Sequence, residues 1–229
     1  MKKLFKRLGK KCVAIILKKY NQVPCRVTGI LNREPKPFIF EHNDFIRVSS
    51  LALIANEIYE KNISGCVAEL GVFQGNFARI INKAFPDRKL YLFDTFEGFD
   101  KKDIEIELEK NYSDCKEGHF SQTNVELVLE KMENKQNCII KKGYFPDTAI
   151  GINETFSFVS IDVDLYQPIY KGLHYFYERL NNGGYIMIHD YHSKKYTGVK
   201  VALRKFSEEK KAAYFPISDN VGSVVVMKP

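Results

Sequence analysis

The sequence predicts an α/β fold: a mostly parallel, seven-stranded sheet with helices on both faces and an antiparallel strand at one edge. Three observations carry this. From residue 65 onward, short continuous apolar runs alternate with amphipathic segments of helical spacing, as expected of strands buried on both faces. The first of those strands runs into a glycine turn that opens a helix, and several later strands end in carboxylates, where ligands sit in such sheets. The last two apolar segments, "AAYFPIS" and "VGSVVVMKP", lie close enough along the chain to pair antiparallel.

In chain order, residues 1–40 stand apart from the body. Their first half, "MKKLFKRLGKKCVAIILKKY", holds eight of the 35 Lys and Arg and no acid, so 27 basic residues face 28 acidic ones elsewhere. The +7 formal charge is thus a property of one terminus, and the nearly neutral remainder argues against nucleic acid as a partner. This start reads as a basic helix with a solvated or packing role, weak contact with a membrane surface being the rival. "CVAIIL" lacks the length and small-residue cleavage site of a secretion signal. "NREPKPFIFEHND" then reads as a linker or lid, because its prolines oppose helix.

Residues 41–229 form the folded body. "FIRVSSLALIANEIYEK" restores helical spacing, with Ile46, Leu53, Ile54 and Ile58 on one face. Strand "CVAEL", helix "NFARIINKAF" and strand "KLYLFD" follow, then a long insert containing the helical "NVELVLEKM". Strands "NCIIKK" and "FSFVSID", helix "PIYKGLHYFYERL", strand "GGYIMIHD" and helix "GVKVALRKFSEEK" continue the repeated β-α-β pattern. No apolar run approaches the roughly 20 residues of a membrane span. Cysteines 12, 25, 66, 115 and 138 are odd in number and widely spaced, which fits a reduced cytoplasmic protein without a disulfide framework or zinc site.

Two groups of residues carry chemistry. In "VAELGVFQGN", Gly71 and Gly75 allow tight turning before a helix, but Glu69 stands where a dinucleotide fingerprint has its first glycine. A carboxylate there repels a pyrophosphate and attracts the ammonium group of S-adenosylmethionine. Asp94 ends the next strand 23 residues after Gly71, near the interval at which an acid meets ribose hydroxyls. Each feature has a plainer reading as a turn glycine or a capping acid, and their combination favours a cofactor loop.

The second group lies at later strand ends. Asp162 and Asp190 end strands 28 residues apart, one right-handed β-α-β unit, so both emerge at the same edge and can share a divalent cation, Mg²⁺ or Mn²⁺. His189 is a candidate third ligand, although imidazole suits Mn or Zn better than Mg. Asp164 lies beside the same edge, can point away from the shared cation, and is the candidate general base for an incoming hydroxyl. His119, inside the insert, is a rival base that reads more simply as a loop histidine.

With these residues in hand, the chain resembles the macrocin O-methyltransferase family from about "FIRVSSLALIANEIYE" to the C-terminus. "VAELGVFQGN", "LYLFDTFEGF", "KKGYFPDTA", "SIDVDLYQPIYKGL", "GGYIMIHDY" and "GVKVALRKF" occur in the family's order. The resemblance implies a Rossmann-like class I methyltransferase fold, use of S-adenosylmethionine and a divalent metal, and a homodimer. It places Glu69, Gly71 and Asp94 at the cofactor with Thr95 and Phe96 alongside, and Gly143 and Tyr144 near the adenine. It also implies Asp162 and Asp190 as metal ligands and Asp164 as base. The chain departs from the family at His189, where a second adjacent aspartate is common.

The expected function is therefore transfer of a methyl group to a sugar hydroxyl, on a surface-glycan precursor, a nucleotide-sugar or a glycosylated natural product. The alternatives are a methyltransferase for another small acceptor with weak metal dependence, and a cofactor-binding module that docks on membrane or nucleic acid through residues 1–20.

Overall fold

The structure, a computed structural model, describes residues 45–229. The expectations for the basic N-terminal helix, its linker and its membrane contact lie outside the described residues.

Helix α1 (Phe45–Glu60) enters the body ahead of the sheet. Then β1 (Cys66–Leu70), α2 (Ala78–Ala84) and β2 (Leu90–Asp94) follow one another. The insert adds α3 (Lys101–Glu109) and α4 (Val125–Glu130). β3 (Cys138–Lys142), β4 (Phe156–Ile161), α5 (Tyr166–Arg179), β5 (Leu180–Ile188), α6 (Gly198–Lys210), β6 (Tyr214–Ile217) and β7 (Ser223–Met227) complete the order. The seven strands stand in the order β3-β2-β1-β4-β5-β7-β6. Pairing is parallel from β3 through β5 and antiparallel for β5–β7 and β6–β7.

Strand alternation divides the core into two layers. Cys66, Ala68 and Leu70 of β1, with Tyr91 and Phe93 of β2, pack on the side of α5 and α6, against Leu173, Phe176, Leu203 and Phe206. Val67 of β1, Leu90 and Leu92 of β2 and Phe158 of β4 pack on the other side, against Val48, Leu51 and Ile58 of α1 and Ile81 of α2. This parity matters for the site. Glu69 shares the face of Val67, and Ser160 and Asp162 share the face of Phe158, so all three side chains belong to the side covered by α1.

Two sequence readings change here. The buried stripe of α1 is Arg47, Val48, Leu51, Ile54, Ala55 and Ile58, whereas Ile46 and Leu53 are 41% and 39% exposed. Ile54 and Ile58 of the expected face do dock, and the stripe they belong to carries an arginine inward. The insert, read only as a loop with one helix, also folds α3, whose N-terminus is capped by Asp100 accepting from the Lys102 N–H at 2.9 Å.

The parallel strand ends are drawn together by backbone. Gly71 N–H donates to Phe93 C=O at 2.9 Å, and Asp162 N–H to Leu70 C=O at 2.8 Å. Gly71 has φ +87°, and a Cβ there would lie 2.1 Å from the Asp162 carbonyl oxygen. Left-handed backbone and a steric clash therefore combine against any side chain at this position. Gly71→Ala is expected to lose about 3 kcal/mol in urea denaturation, the strain and overpacking costs together. A loss below about 1 kcal/mol would show that β1 and β4 do not approach this closely.

Candidate active site

A cavity of about 600 Å³ opens at the carboxyl ends of β1, β2, β4 and β5. Glu69, Gly71, Asp94, Thr95, Gly143 and Tyr144 line one part of it, and Asp162, Asp164, His189 and Asp190 line another. The sequence-derived cofactor and metal candidates thus meet at one cavity, except for Gly75 and Phe96, which do not line it. Gly75 takes φ +75° where a Cβ would meet Val128 and Met132, so its glycine serves the packing of α4. Phe96 is buried in the α1-side core, and its backbone N–H donates to Asp94 Oδ1 at 2.7 Å.

Asp94 organises the glycine loop. Its Oδ2 accepts from the N–H groups of Val72 and Phe73 at 2.7 and 2.8 Å. With Oδ1 bonded to Phe96, three donors fix the carboxylate, and by lone-pair count one further bond to Oδ1 remains available to a ligand. Thr95 turns its hydroxyl onto the Gly98 carbonyl at 2.6 Å and so shapes the turn into the insert. Tyr144 donates to Asp103 Oδ1 at 3.0 Å and accepts from Lys171 Nζ at 3.1 Å.

Glu69 is 1% exposed, and its Oε2 finds no partner among the described residues. Burial pushes its carboxyl well above the ordinary range, with Asp162 and Asp94 adding to the rise and Arg47 opposing it. A buried acceptor without a donor, set in a cavity wall, fits a ligand that brings its own N–H, such as an ammonium.

The strand-end acids are arranged around Asp162. Its Oδ1 lies 3.1 Å from His189 Nδ1, and its Oδ2 accepts from Arg47 Nη1 at 2.9 Å. Burial would raise the Asp162 carboxyl, but the charges of His189 and Arg47 outweigh it and hold the group well below the usual carboxylate range. His189 Nδ1 also lies 2.8 Å from Asp190 Oδ2. Burial works against its imidazolium, yet Asp162 overrides it, and with hydrogen bonds to both acids the ring is pushed up to about 10. Ligand atoms of Asp162, His189 and Asp190 all lie within 4.8 Å of one another, and a carboxylate-imidazole-carboxylate donor set can hold a divalent cation, Mn²⁺ more readily than Mg²⁺.

Asp164 and Asp190 both adopt left-handed backbone, φ +59°. The turn at Asp164 brings its carboxyl beside that of Asp190, where the sequence allowed it to point away. Burial first, then the charges of Asp190 and Asp162, raise Asp164 well above the carboxylate range. Once ionised, such a group holds an incoming proton more tightly than an ordinary aspartate. His119 does not line the cavity and packs its ring edge on Phe99 at 6.2 Å between centroids.

Sequence reasoning missed Arg47 and Asp103. Arg47 stacks its guanidinium 3.7 Å above the Phe77 ring and reaches Ser160 Oγ at 3.3 Å. Asp103, on a helix the sequence did not resolve, lines the cavity while only 5% exposed. Their signal was a lone charge on an otherwise apolar helix face for Arg47, and the cap at Asp100 for the helix bearing Asp103.

The profile of the family described as Macrocin-O-methyltransferase (TylF) matches residues 45–223. Among solved structures, the O-methyltransferase NovP shares 21% identity with a TM-score of 0.64, over 80% of this chain and 79% of that one. CalS11, described as a calicheamicin methyltransferase, shares 17% with a TM-score of 0.64 over 79% and 78%. Cofactor-bound Rv0187 from MTB shares 13% with a TM-score of 0.55 over 94% and 88%. At these identities the structures establish a common fold. No curated protein sequence matches.

One pH effect follows from Asp103, which burial chiefly raises from 3.8 to about 6. A raised acid favours the folded state while protonated, so this stabilisation is full below pH 4 and is lost as pH rises through 6. It amounts to about 3 kcal/mol at 1.36 kcal/mol per pKa unit. In urea denaturation, Asp103→Asn, which keeps an acceptor for Tyr144, should gain about that much relative to wild type between pH 4 and pH 7. A constant difference across that range would contradict the burial of Asp103.

Proposed function

Because the chain belongs to the macrocin O-methyltransferase family and is an S-adenosylmethionine-dependent O-methyltransferase, we propose that its acceptor is a sugar hydroxyl and that a divalent cation assists the transfer. The observation that carries the proposal is the meeting of Asp162, His189 and Asp190 within 4.8 Å at the wall of the same cavity that Glu69 and the glycine loop line. Support for a sugar comes from the acceptor named for CalS11, described as a TDP-rhamnose 3′-O-methyltransferase.

When bound, the cofactor supplies an electrophilic methyl group on sulfonium, and the divalent cation supplies Lewis acidity. The chain's residues do the rest. Glu69 receives the cofactor's ammonium on its unpartnered Oε2, and Asp94, pinned by three backbone N–H groups, offers its remaining lone pair to a ribose hydroxyl. Gly71, without a side chain, lets the Asp162 carbonyl close against the loop, while Thr95, Gly143 and Tyr144 complete that wall. Asp162, His189 and Asp190 hold the cation. Asp164 takes the acceptor hydroxyl's proton as the oxygen attacks, because a sugar hydroxyl is a poor nucleophile while protonated. Phe99 and Phe120, whose rings meet at 5.2 Å, stand at the cavity with Tyr196 and offer apolar surface to a sugar face and against water.

A second reading, a small acceptor methylated with weak metal dependence, is favoured by one observation: both oxygens of Asp162 already have cationic side chains as partners.

Asp162→Ala and Asp190→Ala should each lower methyl transfer to a sugar acceptor roughly 100-fold or more, with calorimetric cofactor affinity changed only a few-fold. Asp164→Asn should cost a similar factor within the usual 10²–10⁴ of general-base catalysis. Wild-type rates in the presence of chelator, with both alanine variants fully active, would refute the cation's part.

A further inference from the structure

Arg47 is the one buried cation that α1 brings to the cavity. It is 6% exposed, stacked on Phe77 at 3.7 Å, and its two terminal nitrogens are committed, Nη1 to Asp162 Oδ2 and Nη2 to Ser160 Oγ. Strand parity fixes this arrangement, since Ser160 and Asp162 lie on the β4 face that α1 covers. A guanidinium held on three sides by a ring, a hydroxyl and a carboxylate cannot swing away without leaving a buried charge unpaired.

A divalent cation shared by Asp162, His189 and Asp190 would use Asp162 Oδ1, the oxygen facing His189 at 3.1 Å. The other oxygen of the same carboxylate stays on Arg47. The cation and the guanidinium would then sit on opposite oxygens of one carboxyl group, a few ångströms apart at partly buried positions, where like charges are poorly screened. Two effects of Arg47 oppose each other. By fixing Oδ2 it orients Asp162, which aids coordination. By its charge it repels the cation and already neutralises the ligand. An orienting partner commonly contributes roughly 10- to 100-fold in metal affinity, but a fixed like charge a few ångströms away acts on both charges of the metal, and at this separation the charge effect is the larger.

We infer that Arg47 is a built-in counter-cation for Asp162: it stabilises the site when no metal is bound and keeps divalent-cation affinity low. This rests on the proposed metal site and deepens it. Arg47 acts through Asp162 and is a positioning residue, not a catalytic one.

The test is Mn²⁺ binding, followed by the electron paramagnetic resonance of free Mn²⁺, with thermal unfolding of the metal-free protein as a second readout. Arg47→Met keeps length and removes charge, so it should tighten Mn²⁺ binding at least tenfold and lower the metal-free Tm. Arg47→Lys keeps the charge and should stay within about threefold of wild type. If Arg47→Met does not fold, Arg47→Gln, uncharged but still a hydrogen-bond donor, carries the same prediction. Unchanged or weaker Mn²⁺ binding in the uncharged variants, with wild type binding measurably, would overturn the inference and leave the metal site standing. No Mn²⁺ binding by wild type or by the uncharged variants would overturn both.

Discussion

The site depends on one partly buried carboxylate, that of Asp162. Asp162 stands at the end of an apolar strand, and a charge there must be compensated or neutralised. Compensation comes from two directions, His189 at the end of the neighbouring strand and Arg47 from the helix that covers that face. Much else follows. Burial raises the nearby Glu69 and Asp164 well above the carboxylate range, and the ionised Asp162 adds to the rise of both. The cavity therefore sets one carboxyl held below the usual range beside two held above it.

The sheet makes this possible through close approach of backbone. β1 and β4 end side by side because Gly71 carries no side chain against the Asp162 carbonyl. Asp94 then ties the glycine loop to β2 through the N–H groups of Val72 and Phe73, and its bond to Phe96 N–H holds the turn that follows β2. Where catalysis needs groups held in register, a frame of backbone hydrogen bonds is stiffer than any arrangement of exposed side chains.

Much of this was legible in the sequence, because it is locally encoded. Continuous apolar runs marked the strands, "GVKVALRKFSEEK" gave α6 residue for residue, and the interval between Asp162 and Asp190 placed both acids on adjacent parallel strands. What escaped reading depends on distant partners. Arg47 was passed over, since the residues that surround it, Phe77, Ser160 and Asp162, lie 30 to 115 positions away. Of the face read for α1, Ile54 and Ile58 are buried, whereas Ile46 and Leu53 are exposed and Arg47 lies inward. The direction of Asp164 turned on a single left-handed φ, and the burial of Asp103 on a helix whose polar sequence hides its inward face. Phe96 and Gly75, chosen from motif position, do not line the cavity: Phe96 packs in the α1-side core, and a Cβ at Gly75 would meet Val128 and Met132.

The account's central claim is that cofactor and cation occupy one cavity on either side of Asp162. Its most direct measurement is anomalous diffraction from crystals grown with S-adenosylhomocysteine and Mn²⁺. The account predicts cofactor density along Glu69, Gly71 and Asp94 and a manganese peak between Asp162, His189 and Asp190. Cofactor density elsewhere, or a bound cofactor with the manganese peak away from these three residues, would contradict it.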